Sequence, residues 1–429
     1  MDQMCADFVL EEILAAESIC TFFQPIISLK NGTIFAYEAL VRGLHPDFPE
    51  LIQPAQLFAQ ADRETLATEF DRLCRKKAME SFHHFRASTN AMMFMNINTA
   101  NIGKESHDSP HIGAVARQMG FDPTEIGLEL IESPSSNPDD LVEFVGRYRD
   151  SGFLIVIDDF GCEHSNLDRL IQIHPDIIKI DRSLVSGIEK DPYRQSIVKS
   201  IHSLAEMTGS LCLAEGVETL EEIRTCHQLG VDLYQGFGIA RPRGDLDALQ
   251  KETQTRIKEL QQDVRYHSLN ALKRKRRLTA DIQVLGDWLL RQLSDNDPER
   301  MRSVFEEFIA MNNEIECIYL LDNNGIQTSP TILSPFLVIQ STHGVFGPAA
   351  PGANHCLKPY FSCFEALGVK RYFTDPYLSQ ASGNICRTLA VRLDGETRMQ
   401  GILCIDFLEE PIRSPSYIRL QKATNHCTV

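Results

Sequence analysis

The amino-acid sequence predicts an α/β fold, either a barrel or a doubly wound sheet, followed by a long helix and a smaller α+β domain. Three observations carry this reading. Short apolar runs alternate with helix-length amphipathic segments up to Asp245. From Asp245 to Leu293 there is no proline and a single glycine, Gly286, and apolar residues recur at helical spacing. Beyond that stretch strand-like pairs return. A chain of 429 residues also exceeds one ordinary core, so two domains are the starting expectation.

The elements follow in order. Residues 5–18 read as a helix, and residues 21–28 and 33–41 as a hairpin around Asn31-Gly32, a strong hairpin-turn signal. Strand-sized apolar runs occupy 91–97, 126–131, 153–157, 177–180, 210–214 and 233–239, and helical patterns such as 139–151 and 193–208 separate most of them. Repeated βα units within one domain's length favour a closed or doubly wound sheet. Ile257, Leu260 and Val264, then Ile282, Leu285 and Leu289, mark a long helix or helix pair, punctuated by Asp295 to Pro298. In the second domain, 314–321 and 326–328 read as a hairpin about Asn323-Asn324-Gly325, and 385–393 pairs with 400–407 about Asp394-Gly395. The expected domains are therefore 1–245, a helical linker 246–296, a sensor-type domain 297–412 and a tail 413–429.

Composition bounds the function. With 43% hydrophobic and 24% charged residues the chain reads as ordinary globular protein. Its longest apolar runs are strand-sized, far short of the ~18 residues of a membrane span, and the N-terminus lacks the pattern of a secretory signal. The expected location is cytoplasmic, with no membrane partner. Twelve cysteines are scattered from Cys5 to Cys427 without a CxxC pair and are read as small buried hydrophobes. A net charge of −17 argues against a DNA- or RNA-polymer surface. It leaves a small nucleotide open, because bound metal ions reverse the local preference of an acidic site.

The polar residues are placed informatively against the strands. Glu38, Asn96, Glu129, Glu132, Asp158, Asp159, Lys179, Asp181, Glu215, Glu218 and Gln235 lie at or near the ends of successive apolar runs. Singly, each carboxylate could be a solvated loop acid. A barrel would gather them on one face, where they repel one another unless protonated or bound to cations. An oxygen-rich set with no His or Cys suits Mg²⁺ or Mn²⁺ over zinc. Such ions polarise phosphoryl oxygens, and a pair of them ~4 Å apart can generate an attacking hydroxide. The pattern points to metal-assisted phosphoester hydrolysis, with Lys179 as a charge stabiliser or water-orienting group.

The motifs themselves resemble a known family. Glu38-Ala39-Leu40-Val41-Arg42, Gln24-Pro25-Ile26, Asn96, Glu129-Leu130-Ile131-Glu132, Asp158-Asp159-Phe160-Gly161, Lys179-Ile180-Asp181, Glu215-Gly216-Val217-Glu218 and Gln235-Gly236-Phe237 match EAL-type cyclic di-GMP phosphodiesterases, in the family's order. The resemblance implies a TIM-like barrel with its site at the strand C-termini, and the linear dinucleotide pGpG as product. It places Mg²⁺ or Mn²⁺, two ions, on Glu38, Asn96, Glu129, Asp158, Asp159 and Glu215. It gives a catalytic role to Lys179, with Glu38 and Glu215 beside it, and a loop-supporting role to Glu132. Substrate and supporting contacts fall to Gln24, Leu40, Arg42, Asp181, Glu218 and Gln235. After Gly161 the family continues Thr-Gly-Tyr-Ser-Ser, whereas this chain has Cys162, Glu163, His164, Ser165 and Asn166. That departure keeps a second reading in play, a receptor module that binds cyclic di-GMP with little or no turnover.

The second domain resembles a PAS-like or Cache sensor through Lys358-Pro359-Tyr360-Phe361, Asp375-Pro376-Tyr377, Gly383 and Gly401–Asp406. Regulation of the barrel by this domain and a homodimer are expected from the resemblance and the apolar linker helix. Tyr360, Tyr377 and Asp406 are read equally as lining a pocket for an unknown small ligand or as ordinary core and turn positions. His164 is read as a polar loop histidine, and Lys273–Arg277 as a solvated helix face.

Overall fold

A computed structural model describes residues 8–45, 48–99, 102, 112–131, 138–161, 167–292, 297–337, 347–379, 382–393 and 400–408. By its contacts the chain divides into two compact units, Met1–Leu269 and Asn270–Val429.

The first unit opens with helix Leu10–Ala15. Its strands are β1 (Ile19–Ser28), β2 (Thr33–His45), β3 (Phe48–Ile52), β4 (Met92–Asn98), β5 (Ile126–Ile131), β6 (Leu154–Phe160), β7 (Ile177–Ile180), β8 (Leu211–Ala214) and β9 (Leu233–Tyr234). Eight of them form a ring in the order β1, β9, β8, β7, β6, β5, β4, β2, and β2 closes it by pairing with β1. β3 hangs on β2 outside the ring. β1 runs antiparallel to both neighbours, and the remaining ring pairs are parallel. The fold is therefore a TIM-like α/β barrel whose first hairpin turns at Asn31-Gly32, as the sequence predicts.

Period-2 alternation divides the side chains of each strand. One set, Ile26, Ala36, Phe94, Val156, Ile177, Leu213 and Leu233, packs together as a single small cluster, the plug of the barrel. The other set, including Tyr37, Met93, Met95, Ile155, Ile157, Ile178, Ile180, Cys212 and Ala214, joins the larger core beneath the helices. Gly127 makes room in the plug, since a Cβ there would meet the Phe94 ring at 2.5 Å.

One expectation for the first unit is corrected. The run 233–239 is a strand only over Leu233–Tyr234. Beyond it Gly238 N donates to Val217 O and Ile239 N to Gly236 O, so the chain turns against the loop after β8. The helices Pro54–Arg63 and Ala67–His83 fill the stretch between the first hairpin and β4. The buried Asp71–Arg75 ion pair interrupts the apolar stripe of the second of these.

Of the long helix or helix pair expected here, the structure has the single helix, Leu246–Gln292. Leu249, Ile257, Leu260 and Val264 belong to the core of the first unit, and Ile282 and Leu289 to that of the second. Lys273–Arg277 are exposed on it. The second unit is an antiparallel sheet of β10 (Ile315–Leu321), β11 (Ile332–Leu333), β12 (Arg371–Phe373), β13 (Tyr377–Leu378), β14 (Ile385–Leu393) and β15 (Gly401–Leu408). The order is β11, β10, β15, β14, β12, with β13 on β14. Helix Pro298–Met311 packs its Phe305, Phe308 and Ile309 on one face, and helix Pro359–Leu367 packs Tyr360, Phe361 and Phe364 on the other. The unit is α+β, as expected. The hairpin anticipated about Asn323–Gly325 is present as a short pairing, in which Asp322 N donates to Ile326 O, Thr328 N donates to Leu320 O and Gln327 bridges Leu321, and Ile332–Leu333 extends the edge beside Cys317 and Ile318. The turn at Asp394-Gly395 and the tail lie outside the described residues. Among the described residues, no helix is long and apolar enough to cross a membrane.

Candidate active site

Each plug residue is followed two positions later by a polar one. Ala36 leads to Glu38, Phe94 to Asn96, Gly127 to Glu129, Val156 to Asp158, Ile177 to Lys179, Leu213 to Glu215 and Leu233 to Gln235. Because side chains two apart in a strand share a face, all seven project to the barrel axis just above the apolar plug, at the C-terminal ends of their strands. On β1, which runs the other way, Gln24 precedes Ile26 and reaches the same end, opposite Glu38 in the β1–β2 register.

Lys179 is the hub. Only 1% exposed, its Nζ lies 3.0 Å from Glu129 Oε1, 2.9 Å from Asp158 Oδ1 and 2.5 Å from Glu215 Oε1. Burial pulls its pKa down, but Asp158, Glu129, Glu215 and Glu38 together override this and hold it well above the ordinary lysine value. Glu38 is fixed from two sides, accepting from Asn96 Nδ2 at 3.1 Å and from Gln235 Nε2 at 2.5 Å. Gln235 Nε2 also reaches Gln24 Oε1 at 3.2 Å, and Gln24 Nε2 donates to Ala240 O at 3.1 Å.

Asp159 breaks the alternation. The β6–β7 register shifts between Ile157 and Phe160, and Asp159 takes a left-handed φ of 54°, a conformation that Asp tolerates better than most residues. The kink returns Asp159 to the side of Asp158, so that Asp158, Asp159 and Glu215 each offer an oxygen within 4.8 Å of the others.

One lysine does not balance these acids. Glu129 is completely buried, and neither of its oxygens accepts a hydrogen bond, the Lys179 ammonium being close but not aligned. Burial, then Glu38, pushes its pKa well above the ordinary value, with Asp158 and Glu215 adding to the shift. Burial pushes Glu215 to about 8 against the pull of Lys179, and burial with Asp158 and Asp181 raises Asp159. A buried carboxylate with unused lone pairs, beside further acids and amide oxygens, is the donor set of a hard divalent cation. The residues fit such an ion.

Above the acids is an open cavity of about 280 Å³, lined by Gln24, Glu38, Asp158, Lys179, Glu215 and Gln235 together with Arg182, Gly216, Glu218, Gly236 and Phe237. Arg182, paired with Glu218 at 2.7 Å, and the half-exposed Phe237 were not among the candidates read from the sequence. Their signal was adjacency: Arg182 directly follows Asp181, and Phe237 ends the Gln235-Gly236-Phe237 motif. Leu40 and Asn96 line a neighbouring, more apolar depression with Phe58, Met95 and Ile131. Arg42 and Asp181 do not line the cavity above the acids. Arg42 donates to Val41 O at 2.8 Å and stacks on Phe22, and Asp181 caps helix Arg182–Val185 by accepting from Ser183 N. Glu132, Cys162 and His164 lie outside the described residues.

An oxygen-rich pocket at the mouth of a barrel whose first strand is antiparallel defines the class. The family model of the EAL domain matches residues 9–242, more than half of the chain, and the chain belongs to that family. The EAL-domain containing protein YkuI of Bacillus subtilis (strain 168), itself uncharacterised, is 22% identical over 403 residues, 90% of this chain and 94% of its own. Its crystal structure in complex with cyclic di-GMP and calcium matches with a TM-score of 0.71 at 21% identity, covering 94% of this chain and 99% of that one, a likeness of fold. The probable cyclic di-GMP phosphodiesterase PdeB of Escherichia coli (strain K12) is 28% identical over 239 residues, 55% of this chain and 45% of PdeB. The EAL enzyme Bd1971, in its cAMP and cyclic-di-GMP bound form, matches with a TM-score of 0.52 at 26% identity over 57% of this chain and 67% of that one. The chain thus spans less than half the length of PdeB.

Proposed function

We propose that the barrel hydrolyses cyclic di-GMP to linear pGpG with the help of two divalent cations, magnesium or manganese. The observation that carries this reading is Lys179, locked among Glu129, Asp158 and Glu215 directly above the apolar plug. The substrate assignment is supported by relatives such as PdeB, whose name carries that activity. Glu38, Asn96, Glu129, Asp158, Asp159 and Glu215 hold the ions. When bound, such cations polarise a phosphoryl oxygen and acidify a water.

The rest falls to the chain. Water oxygen bonds to one phosphorus, the bond from that phosphorus to a 3′-oxygen breaks, and the leaving oxygen takes a proton. The phosphate stays on the 5′-oxygen, giving pGpG. Lys179 is kept protonated by its three partners, so it acts as a fixed donor that orients the water or neutralises the phosphoryl group rather than as a base. Gln235 and Asn96 aim Glu38, and Gln24 aims Gln235. Phe237, half-exposed at the rim with Arg241 4.2 Å over its ring, offers a flat surface to a guanine. Glu218 holds Arg182 near the position a phosphate takes. Leu40 and Arg42 shape the adjoining wall, Asp181 fixes the loop after β7, and Glu132 supports a loop. The second unit regulates this activity, and the active form is a homodimer, a state that sedimentation at micromolar concentration tests.

The deciding experiment is hydrolysis by the purified full chain with Mn²⁺ or Mg²⁺, followed by nucleotide chromatography. The expected product is pGpG, abolished by EDTA. Tight cyclic di-GMP binding with no product makes the barrel a receptor and overturns the enzyme reading. Unchanged metal and nucleotide binding in Glu38→Ala makes the site purely structural.

A further inference from the structure

The second unit contains a cavity that the barrel chemistry does not use. Its volume is about 540 Å³, within the ~300–1,000 Å³ of small-molecule sites. A bulge builds its floor. The β10–β15 register steps from Ile315↔Phe407 to Cys317↔Asp406, which leaves Glu316 as the extra residue, and a bulge re-aims the side chain it carries. Glu316 and Asp406 consequently both line the cavity.

Two carboxylates at one floor, Glu316 buried and Asp406 partly buried, need compensation, and here every protein partner is neutral. Glu316, 2% exposed, accepts from Ser379 Oγ at 2.5 Å, Ser382 Oγ at 2.8 Å, Asn384 Nδ2 at 3.3 Å and Cys386 Sγ at 2.9 Å. Asp406 accepts from Thr388 Oγ1 at 2.7 Å and Cys317 Sγ at 3.3 Å. Among the described residues, neither acid is paired with a lysine or arginine. Hydrogen bonds satisfy lone pairs, but they do not cancel charge, and buried charges are otherwise paired.

The remaining lining says what kind of cation fits. Tyr319, Tyr360, Tyr372 and Tyr377 contribute aromatic walls, whose faces attract an organic cation. His355 does not serve as that cation. Gln327 uses its amide nitrogen on Ser329 O and Thr331 Oγ1, so its oxygen, 3.2 Å from His355 Nε2, must accept. In the neutral ring Nδ1 accepts from Tyr360 Oη, 2.6 Å away, so the hydroxyl and the amide oxygen together satisfy both nitrogens without a charge. Burial and the nearby Lys358 lower the His355 pKa in the same sense. Lys358 is exposed on the lining, where its ammonium suits a carboxylate rather than the acids of the floor.

We propose that this cavity binds a small organic molecule bearing a protonated primary amine, with the ammonium seated against Asp406 and Glu316 between the tyrosine rings. Amino acids and short diamines share that chemistry, and Lys358 distinguishes them: it welcomes the carboxylate of an amino acid and gives a second ammonium nothing.

The test is calorimetric titration of the full chain with each of the proteinogenic amino acids and with putrescine, cadaverine and spermidine. At least one amine binds, and its N-acetyl derivative, which has lost the charge, binds about tenfold more weakly or not at all. Asp406→Asn weakens the same amine by about tenfold. Lys358→Gln weakens an amino acid but leaves a diamine unchanged. The N-acetyl comparison needs no variant, so it stands even where Asp406→Asn fails to fold. No binding up to about 10 mM, equal binding of the N-acetyl derivative, or undiminished binding by folded Asp406→Asn would each overturn the proposal.

Discussion

Lys179 has an ammonium that answers three carboxylates at once while itself sealed from water. Removing one partner of such a cluster leaves the others as uncompensated buried charges, which costs about 3–5 kcal/mol. Lys179→Met is therefore expected to lower the urea stability of the barrel by that amount in EDTA, and to lose less in Mn²⁺, where the cation takes over the charge. Hydrolysis by the variant falls about 100-fold or more. A metal-free stability equal to that of the parent would refute the role given to this side chain. Asp406 provides a second test with a definite sign. Burial, with Glu316 adding, lifts its pKa from an ordinary 3.8 to about 6, against the hydrogen bonds of Thr388, Tyr377 and Cys317. The folded state thus binds the proton more tightly than the unfolded one. Its contribution to stability is complete below about 3.8 and disappears as pH rises through about 6. Glu316, Cys317, Tyr319, His355, Lys358, Tyr360, Tyr372, Asp375 and Tyr377 are the other titratable groups lining this pocket, with Cys386 and Cys404 close to Asp406 behind it. Relative to Asp406→Asn, the parent chain should gain stability between pH 7 and pH 4 in urea titrations. A pH-independent difference contradicts the shift.

Among the elements, the end of β9 matters more than its two strand residues suggest. Gly236 lies so close to the loop after β8 that a Cβ would meet Val217 O at 2.1 Å and Val217 N at 2.3 Å. Both are backbone atoms, so no rotamer change relieves the contact. This crossing holds Gln235, and Gln235 holds Glu38. Gly236→Ala is expected to cost about 1–3 kcal/mol through overpacking, and to weaken Mn²⁺ binding through misplacement of Glu38, read by calorimetry. A variant that loses stability yet binds metal normally would show that the turn does not position the site. The helix Leu246–Gln292 makes a different point. Gly286 in its interior reads as a weak point worth about 1 kcal/mol against alanine, yet the helix continues unbroken. A Cβ there would sit 3.1 Å from Leu389 Cδ2, so the glycine lets helix and sheet approach.

At the scale of the whole molecule, the described residues hold separate cores. Ile257, Leu260 and Val264 are buried with the barrel, and Ile282 and Leu289 with the sheet of the second unit. A ligand stabilises only what binds it, by about 2.7 kcal/mol at a concentration 100 times its Kd. Saturating Mn²⁺ is accordingly expected to raise one of two calorimetric unfolding transitions, the one assigned to the barrel, and to leave the other in place. Equal upward shifts of both, or a single transition, would mean that the cores unfold together.

The alternation of apolar and polar residues was legible in the sequence, because a strand's period of two belongs to the backbone itself. It set out the successive strands, the polar residues at their ends and the long apolar-spaced helix, and the ordered motifs gave the family. Other features arise only when distant segments meet. Gln24 and Gln235, 211 positions apart, touch because the first and last strands of the ring are neighbours. The kink at Asp159 and the bulge at Glu316 are local departures from strand geometry that appear in the register against a neighbouring strand, and β9 ends early where the chain turns against the loop after β8. No window of sequence contains those neighbours, so tertiary structure alone decided which acids share an ion's space and which two share the floor of the second cavity.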